Sequence, residues 1–169
     1  MARGDNRTAA SPAPGWDEAA AREIVAAHVA LEGALLPILH ALQERFGYID
    51  TGFLPAVAAA LNLSRAEVHG TLTFYHDFRT EPAGRHIVKL CRAEACQSMG
   101  CDSLTDRLAH THGLELGATT PDGRLTVEAV YCLGNCALSP AALVDGELVG
   151  RLDAARLDAI VHDLRGGRA

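Results

Sequence analysis

The sequence contains no C-x-x-C pair, no G-x-G-x-x-G or P-loop signature, no nucleophile elbow, and no apolar run near the roughly 18 residues of a membrane span. Each absence excludes a class of protein. Without C-x-x-C at a helix start there is no dithiol oxidoreductase centre, and without the glycine-rich signatures no NAD, nucleotide or acyl-transfer site is expected on this chain. No export signal accompanies the five cysteines, and an odd count suits a secreted disulfide framework poorly. The thiols are therefore expected to be reduced and the chain cytoplasmic. An excess of basic charge is missing too: 15 Lys and Arg stand against 21 Asp and Glu, a formal charge of -6, which argues against a general nucleic-acid binder. With 49% hydrophobic and 21% charged residues over 169 positions, the chain can bury a core as one ordinary domain or two small ones.

The cysteines fall into two clusters, Cys91-Arg-Ala-Glu-Ala-Cys96 and Cys132-Leu-Gly-Asn-Cys136, with 35 residues between them and Cys101 left over. Two close pairs meeting in a fold make a four-thiolate site, which suits tetrahedral zinc or an iron-sulfur cluster. Zinc knuckles favour the tighter C-x-x-C, whereas a two-iron cluster accepts a C-x4-C loop, so the spacing favours iron. A Rieske centre would need two histidines in place of two cysteines, and the loops carry none. Structural zinc and unrelated buried thiols stay open on spacing alone.

Residues 1–15, rich in Ala, Pro, Gly and Ser, have too little apolar surface to order and are expected to form a tail. A helical region over 16–80 follows. Ala20, Ile24, Ala27 and Leu31 predict one helix between Trp16 and Ala30. Leu35, Leu36, Leu39 and Leu42 predict a second, with Gly47 as its left-handed cap. A third helix is expected from about Asp50 to Leu61, and Ser64-Arg-Ala-Glu67 is a capping box opening a fourth, with Val68, Leu72 and Tyr75 along one side. The third and fourth helices resemble a helix-turn-helix, but Arg65 and Arg79 are offset by Glu67 and Asp77, leaving no phosphate-neutralising face. Phe74, Tyr75 and Phe78 read as core aromatics, with a docking surface as the second reading. His69, His76, His110 and His112, without evident carboxylate partners, read as surface or core residues rather than metal ligands.

Glu81-Pro82-Ala83-Gly84 breaks the helical pattern, and a domain over 81–165 is expected beyond it, with 166–169 as a closing tail. His86 to Leu90 predicts a strand ending at Cys91. Cys96 to His110 predicts a helix with Met99, Leu104 and Leu108 inward, and Leu125 to Tyr131 a strand ending at Cys132. Asp145-Gly146 joins a hairpin between Ala141–Val144 and Leu148–Leu152, and Asp153 caps a last helix through Leu164. The fold class is therefore α+β, helices followed by a small mixed sheet with helices packed on it. If the strands before Cys91 and Cys132 are parallel neighbours, their loops emerge side by side and the two pairs meet. Gly100, Gly134 and Asn135 are positions where backbone N–H groups can approach sulfur. On a continuous helix Cys101 would lie about 140° around from Cys96 and face away from the cluster.

The layout Cys91-x4-Cys96 and Cys132-x3-Cys136, preceded by Thr71-Leu-Thr-Phe-Tyr75 and Pro82-x-Gly84 and followed by Pro140, resembles the thioredoxin-like 2Fe-2S subunit of respiratory complex I. The resemblance covers the chain from about Trp16 to Leu164. The same subunit type occurs in NAD-linked hydrogenases and in soluble NAD-dependent formate dehydrogenases. Cys91-Arg-Ala-Glu-Ala-Cys96-Gln-Ser-Met-Gly100 and Tyr131-Cys-Leu-Gly-Asn-Cys-Ala-Leu-Ser-Pro140 are most similar to the gamma subunit of the formate dehydrogenases. The resemblance implies a thioredoxin-like ferredoxin domain in which Cys91, Cys96, Cys132 and Cys136 ligate one 2Fe-2S cluster. It further implies a non-catalytic electron-transfer subunit whose amino-terminal helices dock on a diaphorase subunit holding FMN and NAD, beside a larger catalytic subunit with further iron-sulfur clusters. The departure from the family is Cys101, where a small residue is usual. A free-standing ferredoxin and a zinc-stabilised interaction module are the alternatives from other classes.

Overall fold

The computed structural model describes residues 15–166. Residues 1–14 of the expected amino-terminal tail and 167–169 of the closing tail lie outside the described residues. The chain divides between Pro82 and Ala83 into two compact units, within the predicted Glu81–Gly84 break. Among the described residues no helix is long and apolar enough to cross a membrane.

The first unit is helical: α1 (Glu18–His28), α2 (Leu35–Phe46), a single 3-10 turn (Thr51–Phe53), α3 (Leu54–Leu61) and α4 (Arg65–Phe74). Local chemistry sets its ends. The Asp17 carboxylate accepts from the N–H groups of Ala19 (2.9 Å) and Ala20 (3.3 Å) to open α1, and Gly47 closes α2 at φ +80°. Ser64 Oγ accepts from Glu67 N at 3.1 Å while the Glu67 carboxylate accepts from Ser64 N at 2.8 Å, completing the capping box. That backbone hydrogen bond holds the Glu67 carboxyl below the usual carboxylate range. Ile38, Leu39, Leu42, Phe46, Ile49, Val57 and Val68 are fully buried in the core, and Trp16 packs on Phe46 at 4.6 Å between ring centroids.

Two expectations fail in this unit. In α1 the predicted Ala20 and Ile24 pack half-buried on the core beside the buried Ala21 and Val25, whereas Ala27 and Leu31 are exposed. Small alanines on several faces of this helix make its phase ambiguous in the sequence. The aromatic cluster splits. Phe78 is buried against His40, whereas Phe74 and Tyr75 are 72% and 43% exposed. α4 ends at Phe74, and Tyr75 turns to an extended conformation at the cap, off the helical face that carries Val68 and Leu72.

The second unit holds a mixed four-stranded sheet in the order β2-β1-β3-β4, from β1 (His86–Cys91), β2 (Leu125–Val130), β3 (Ala142–Val144) and β4 (Glu147–Val149). β1 and β2 are parallel, with His86 opposite Leu125 and Cys91 opposite Val130. β3 runs antiparallel to β1 and turns into β4 through Asp145 and Gly146, both at positive φ as a two-residue hairpin turn requires. The Asp145 carboxylate also receives Ile87 N at 2.8 Å and pairs with His86 Nδ1 at 2.7 Å, so the turn residue ties the hairpin to β1. Helices α6 (Cys101–His112) and α7 (Ala154–Gly166) contribute Leu104, Leu108, Leu157, Val161 and Leu164 to one core with Val88, Leu90, Leu125 and Val127. Asp153 opens α7, its carboxylate accepting from Arg156 N at 2.8 Å.

The helix expected from Cys96 to His110 is two helices. α5 (Glu94–Ser98) stops at Met99, and Gly100 at φ +89° redirects the chain before α6 begins at Cys101. Only glycine enters that backbone region without strain. Met99, expected inward, is 62% exposed at the break.

α6 and α7 are joined by a polar clamp. Arg107 Nε donates to Asp158 Oδ1 at 2.8 Å, its other donor takes Oδ2, and His112 Nε2 lies 2.8 Å from the same Oδ1. His112 thus has the carboxylate partner that its sequence neighbourhood did not reveal. The Arg107 hydrogen bonds, followed by the His112 bond, hold the Asp158 carboxyl well below the usual carboxylate range. A depressed carboxyl pKa contributes stability above the unfolded value of about 4, and that contribution is lost as pH falls through the depressed pKa. Thermal melts from pH 7 to pH 2 should show Asp158→Asn less stable than the parent at neutral pH and with a shallower acid decline.

Candidate metal centre

The carboxyl ends of the parallel strands β1 and β2 bring the two cysteine loops together. Cys91 is the last residue of β1, with its N–H donating to Ala141 O at 3.0 Å, and Arg92 N extends the parallel pairing by bonding Val130 O at 2.8 Å. β2 ends at Val130, and Cys132 turns the chain at φ +82°, an uncommon conformation for a residue with a side chain. The turn aims backbone donors at sulfur. The N–H groups of Ala93, Cys132 and Leu133 favour the thiolate of Cys91, and Gly134 N lies 3.4 Å from Cys132 Sγ. Cys136 opens a 3-10 turn (Cys136–Leu138), with its sulfur 3.7 Å from that of Cys132.

This second loop is seated on the end of the hairpin. Arg151 N donates to Leu138 O at 2.6 Å and Leu152 N to Pro140 O at 2.9 Å. A Cβ at Gly150 would stand 2.7 Å from Leu138 Cβ, 2.7 Å from Asn135 Nδ2 and 3.0 Å from Leu138 O, so the loop can lie there only over glycine. Ser139 is buried between the two cysteine loops: its Oγ donates to Cys136 O at 2.7 Å and lies 3.6 Å from Cys96 Sγ. Sequence reasoning missed Ser139, Ala93 and Gly150. Ser139 had one signal available, its place directly before the motif's Pro140.

The site is asymmetric. Cys91 and Cys96 are each 2% exposed, whereas Cys132 and Cys136 reach solvent. Burial pushes the Cys91 thiol up, but the N–H of Ala93, the Cys96 thiol and the N–H groups of Cys132 and Leu133 together bring it below its ordinary value. The adjoining Cys132 sulfur, by its hydrogen bond and then by its charge, pushes Cys136 up. Two thiolates on one tetrahedral metal with bonds of about 2.3 Å stand about 3.8 Å apart, close to the Cys132–Cys136 separation of 3.7 Å. Among the described residues no three His, Cys, Asp or Glu side chains gather tightly enough to share a single metal ion.

A family model for thioredoxin-like 2Fe-2S ferredoxins matches residues 21–165. The chain belongs to that family. Among its relatives, an E-type subunit of the NADH-quinone oxidoreductase of Rhizobium meliloti is 39% identical over 132 residues, covering 78% of this chain and 79% of that one. The NADP-reducing hydrogenase subunit HndA of Solidesulfovibrio fructosivorans is 30% identical over 132 residues, covering 78% and 77%. The crystal structure of an air-oxidised NAD+-reducing NiFe-hydrogenase aligns with a TM-score of 0.66 at 30% identity, over 80% of this chain but only 23% of that longer one. The cofactor of this ferredoxin family is a 2Fe-2S cluster.

Cys101 does not face away from this ferredoxin site. Because α6 starts at Cys101 after the Gly100 turn, the predicted rotation about a single helix does not apply. The thiol packs at 0% exposure in one cluster with Cys91, Cys96 and Ala141. Burial, then the Asp102 charge, push it above its ordinary value despite the opposing Arg92. Its surroundings thus favour the neutral thiol, while those of Cys91 favour the thiolate.

Two expected outcomes follow from this geometry. Cys96→Ser should lose much of the visible cluster absorbance, with iron and sulfide falling together, while Cys101→Ala should retain both. Gly150→Ala should cost about 1–3 kcal/mol in denaturant melts, the usual range for forcing extra volume into a packed site, and should broaden the cluster's EPR spectrum by displacing the Cys136 loop.

Proposed function

We propose that this ferredoxin is the electron-transfer subunit of a soluble NAD-linked oxidoreductase complex, with Cys91 and Cys96 holding one iron of a 2Fe-2S cluster and Cys132 and Cys136 the other. The observation that carries this reading is the paired, one-sided arrangement of the thiols: one pair sealed in the fold and one pair at the surface. A cluster bound there supplies one-electron exchange at a potential set by charge, hydrogen bonding and exposure. The chain's own residues anchor it through the buried pair, direct backbone N–H groups at the sulfurs, and bring the exposed pair to the surface, where the sequence neighbours Tyr131 and Leu138 are 75% and 39% exposed. Exposed apolar side chains next to an exposed redox site suit a protein partner.

The helical region, residues 16–80, is the docking domain in this reading. Its apolar groove, of about 880 Å³, is lined by Val29, Leu31, Leu36, Phe74 and Tyr75 among others, and faces of this kind mark interaction sites. The partner is a diaphorase subunit carrying FMN and NAD, with a larger catalytic subunit bearing further iron-sulfur clusters beyond it, and the complex is cytoplasmic. Within the family the wording of the two cysteine loops supports the gamma subunit of an NAD-dependent formate dehydrogenase. The 39% and 30% identities to the subunits named above support a second reading, the equivalent subunit of an NADH-quinone oxidoreductase or NAD-linked hydrogenase.

The test is low-temperature EPR of the purified chain before and after dithionite, with iron, zinc and acid-labile sulfide assayed on the same sample. The expected result is a silent oxidised protein that gains a rhombic signal on reduction, with iron and sulfide equal. Zinc without sulfide after iron-replete growth would overturn the electron-transfer reading. Co-purification with a flavoprotein that reduces NAD with formate separates the formate dehydrogenase reading from the other two complexes.

A further inference from the structure

Arg92 directly follows Cys91, and the fold holds it at both ends. Its N–H donates to Val130 O at 2.8 Å and its carbonyl accepts from Gln97 Nε2 at 3.0 Å, which fixes the backbone. At the far end of the side chain a terminal N–H donates to Asp102 Oδ1 at 2.7 Å. Between these anchors the guanidinium lies alongside the Cys101 thiol, and its Nε–H is buried without a hydrogen-bond partner. Cys101 in turn packs against Cys91 and Cys96. A buried donor left unpaired costs free energy, so its retention here calls for a compensating interaction.

A guanidinium does not deprotonate in proteins, so this is a permanent positive charge fixed behind the buried thiol pair. Asp102 offsets it only in part: the carboxylate side chain is 59% exposed against 30% for Arg92, so water screens it more strongly. Reduction of a 2Fe-2S centre adds one electron and one negative charge, with no protein bond made or broken. A fixed cation nearby favours the form with the extra charge. We infer that Arg92 is a positioning residue that raises the reduction potential of the cluster from its buried side, with Cys101 as the apolar spacer that keeps the guanidinium against the site. The inference rests on the assignment of Cys91 and Cys96 as ligands.

A purely structural Arg92, one that merely ties β1 to α6, would give a different outcome in redox potentiometry of the full cluster-loaded chain, followed by visible absorbance and EPR. Arg92→Gln should assemble the cluster and show a lower midpoint potential, while Arg92→Lys, which keeps the charge, should recover most of the difference. Asp102→Asn, whose Oδ1 can still accept from Arg92, should shift the potential upward. A wild-type potential in Arg92→Gln, or a fall in Arg92→Lys as large as that in Arg92→Gln, would overturn the inference. Should Arg92→Gln fail to take up iron, Asp102→Asn decides alone, and the absence of a rise there overturns it. Wild-type chain reconstituting without equal iron and sulfide would instead sink the ligand assignment beneath it, a separate and recognisable result.

Discussion

The parallel pairing of β1 with β2 is the constraint on which the rest depends. Cys91 and Cys132 are far apart in sequence, and they meet because Cys91 lies opposite Val130, two residues before Cys132. In an open sheet the loops beyond the carboxyl ends of adjacent parallel strands emerge on one edge. A shift of register by one residue would turn Cys91 to the opposite face of the sheet and separate the thiol pairs. The core of Val88, Leu90, Leu125 and Val127 under α6 and α7 specifies that register, so the hydrophobic core and the metal centre are one structural problem.

Once the pairs meet, the backbone supplies most of the electrostatics. Backbone N–H groups of Cys132 and Leu133, in the turn where Cys132 stands at φ +82°, favour the thiolate of the buried Cys91, while Gly134 N approaches the exposed Cys132 sulfur. The same turn leaves the second pair at the surface. Tyr131, Met99 and Leu138, each close in sequence to one of the cysteines, are exposed as well.

Much of the fold was legible because its signals are short-range. The Ser64–Glu67 capping box, the Gly47 cap and the Asp145-Gly146 turn are each set by a few neighbouring residues, and each stands where the sequence placed it. Errors arose where a local pattern had two solutions. Alanines around α1 left the helical phase open, and Ala21 with Val25 took the buried side. Gly100 inside an apparently continuous helical pattern broke it into α5 and α6, which carried Met99 outward and Cys101 inward. An isolated glycine in such a pattern is sometimes tolerated and sometimes a break, and the packing of the following helix decides.

The sequence by itself determined the two-by-two spacing of the cysteines, the strand-to-loop positions of Cys91 and Cys132, and membership of a 2Fe-2S family. These are properties of residue type and short intervals. Only the tertiary structure decided which pair is buried, that Cys101 packs in one cluster with Cys91 and Cys96, that Arg92 keeps a buried Nε–H without a hydrogen-bond partner, and that Phe74 and Tyr75 face outward. Burial and long-range contact depend on which other segments arrive at a position, and that follows from sheet register and helix packing, for which no local run of residues carries a signal.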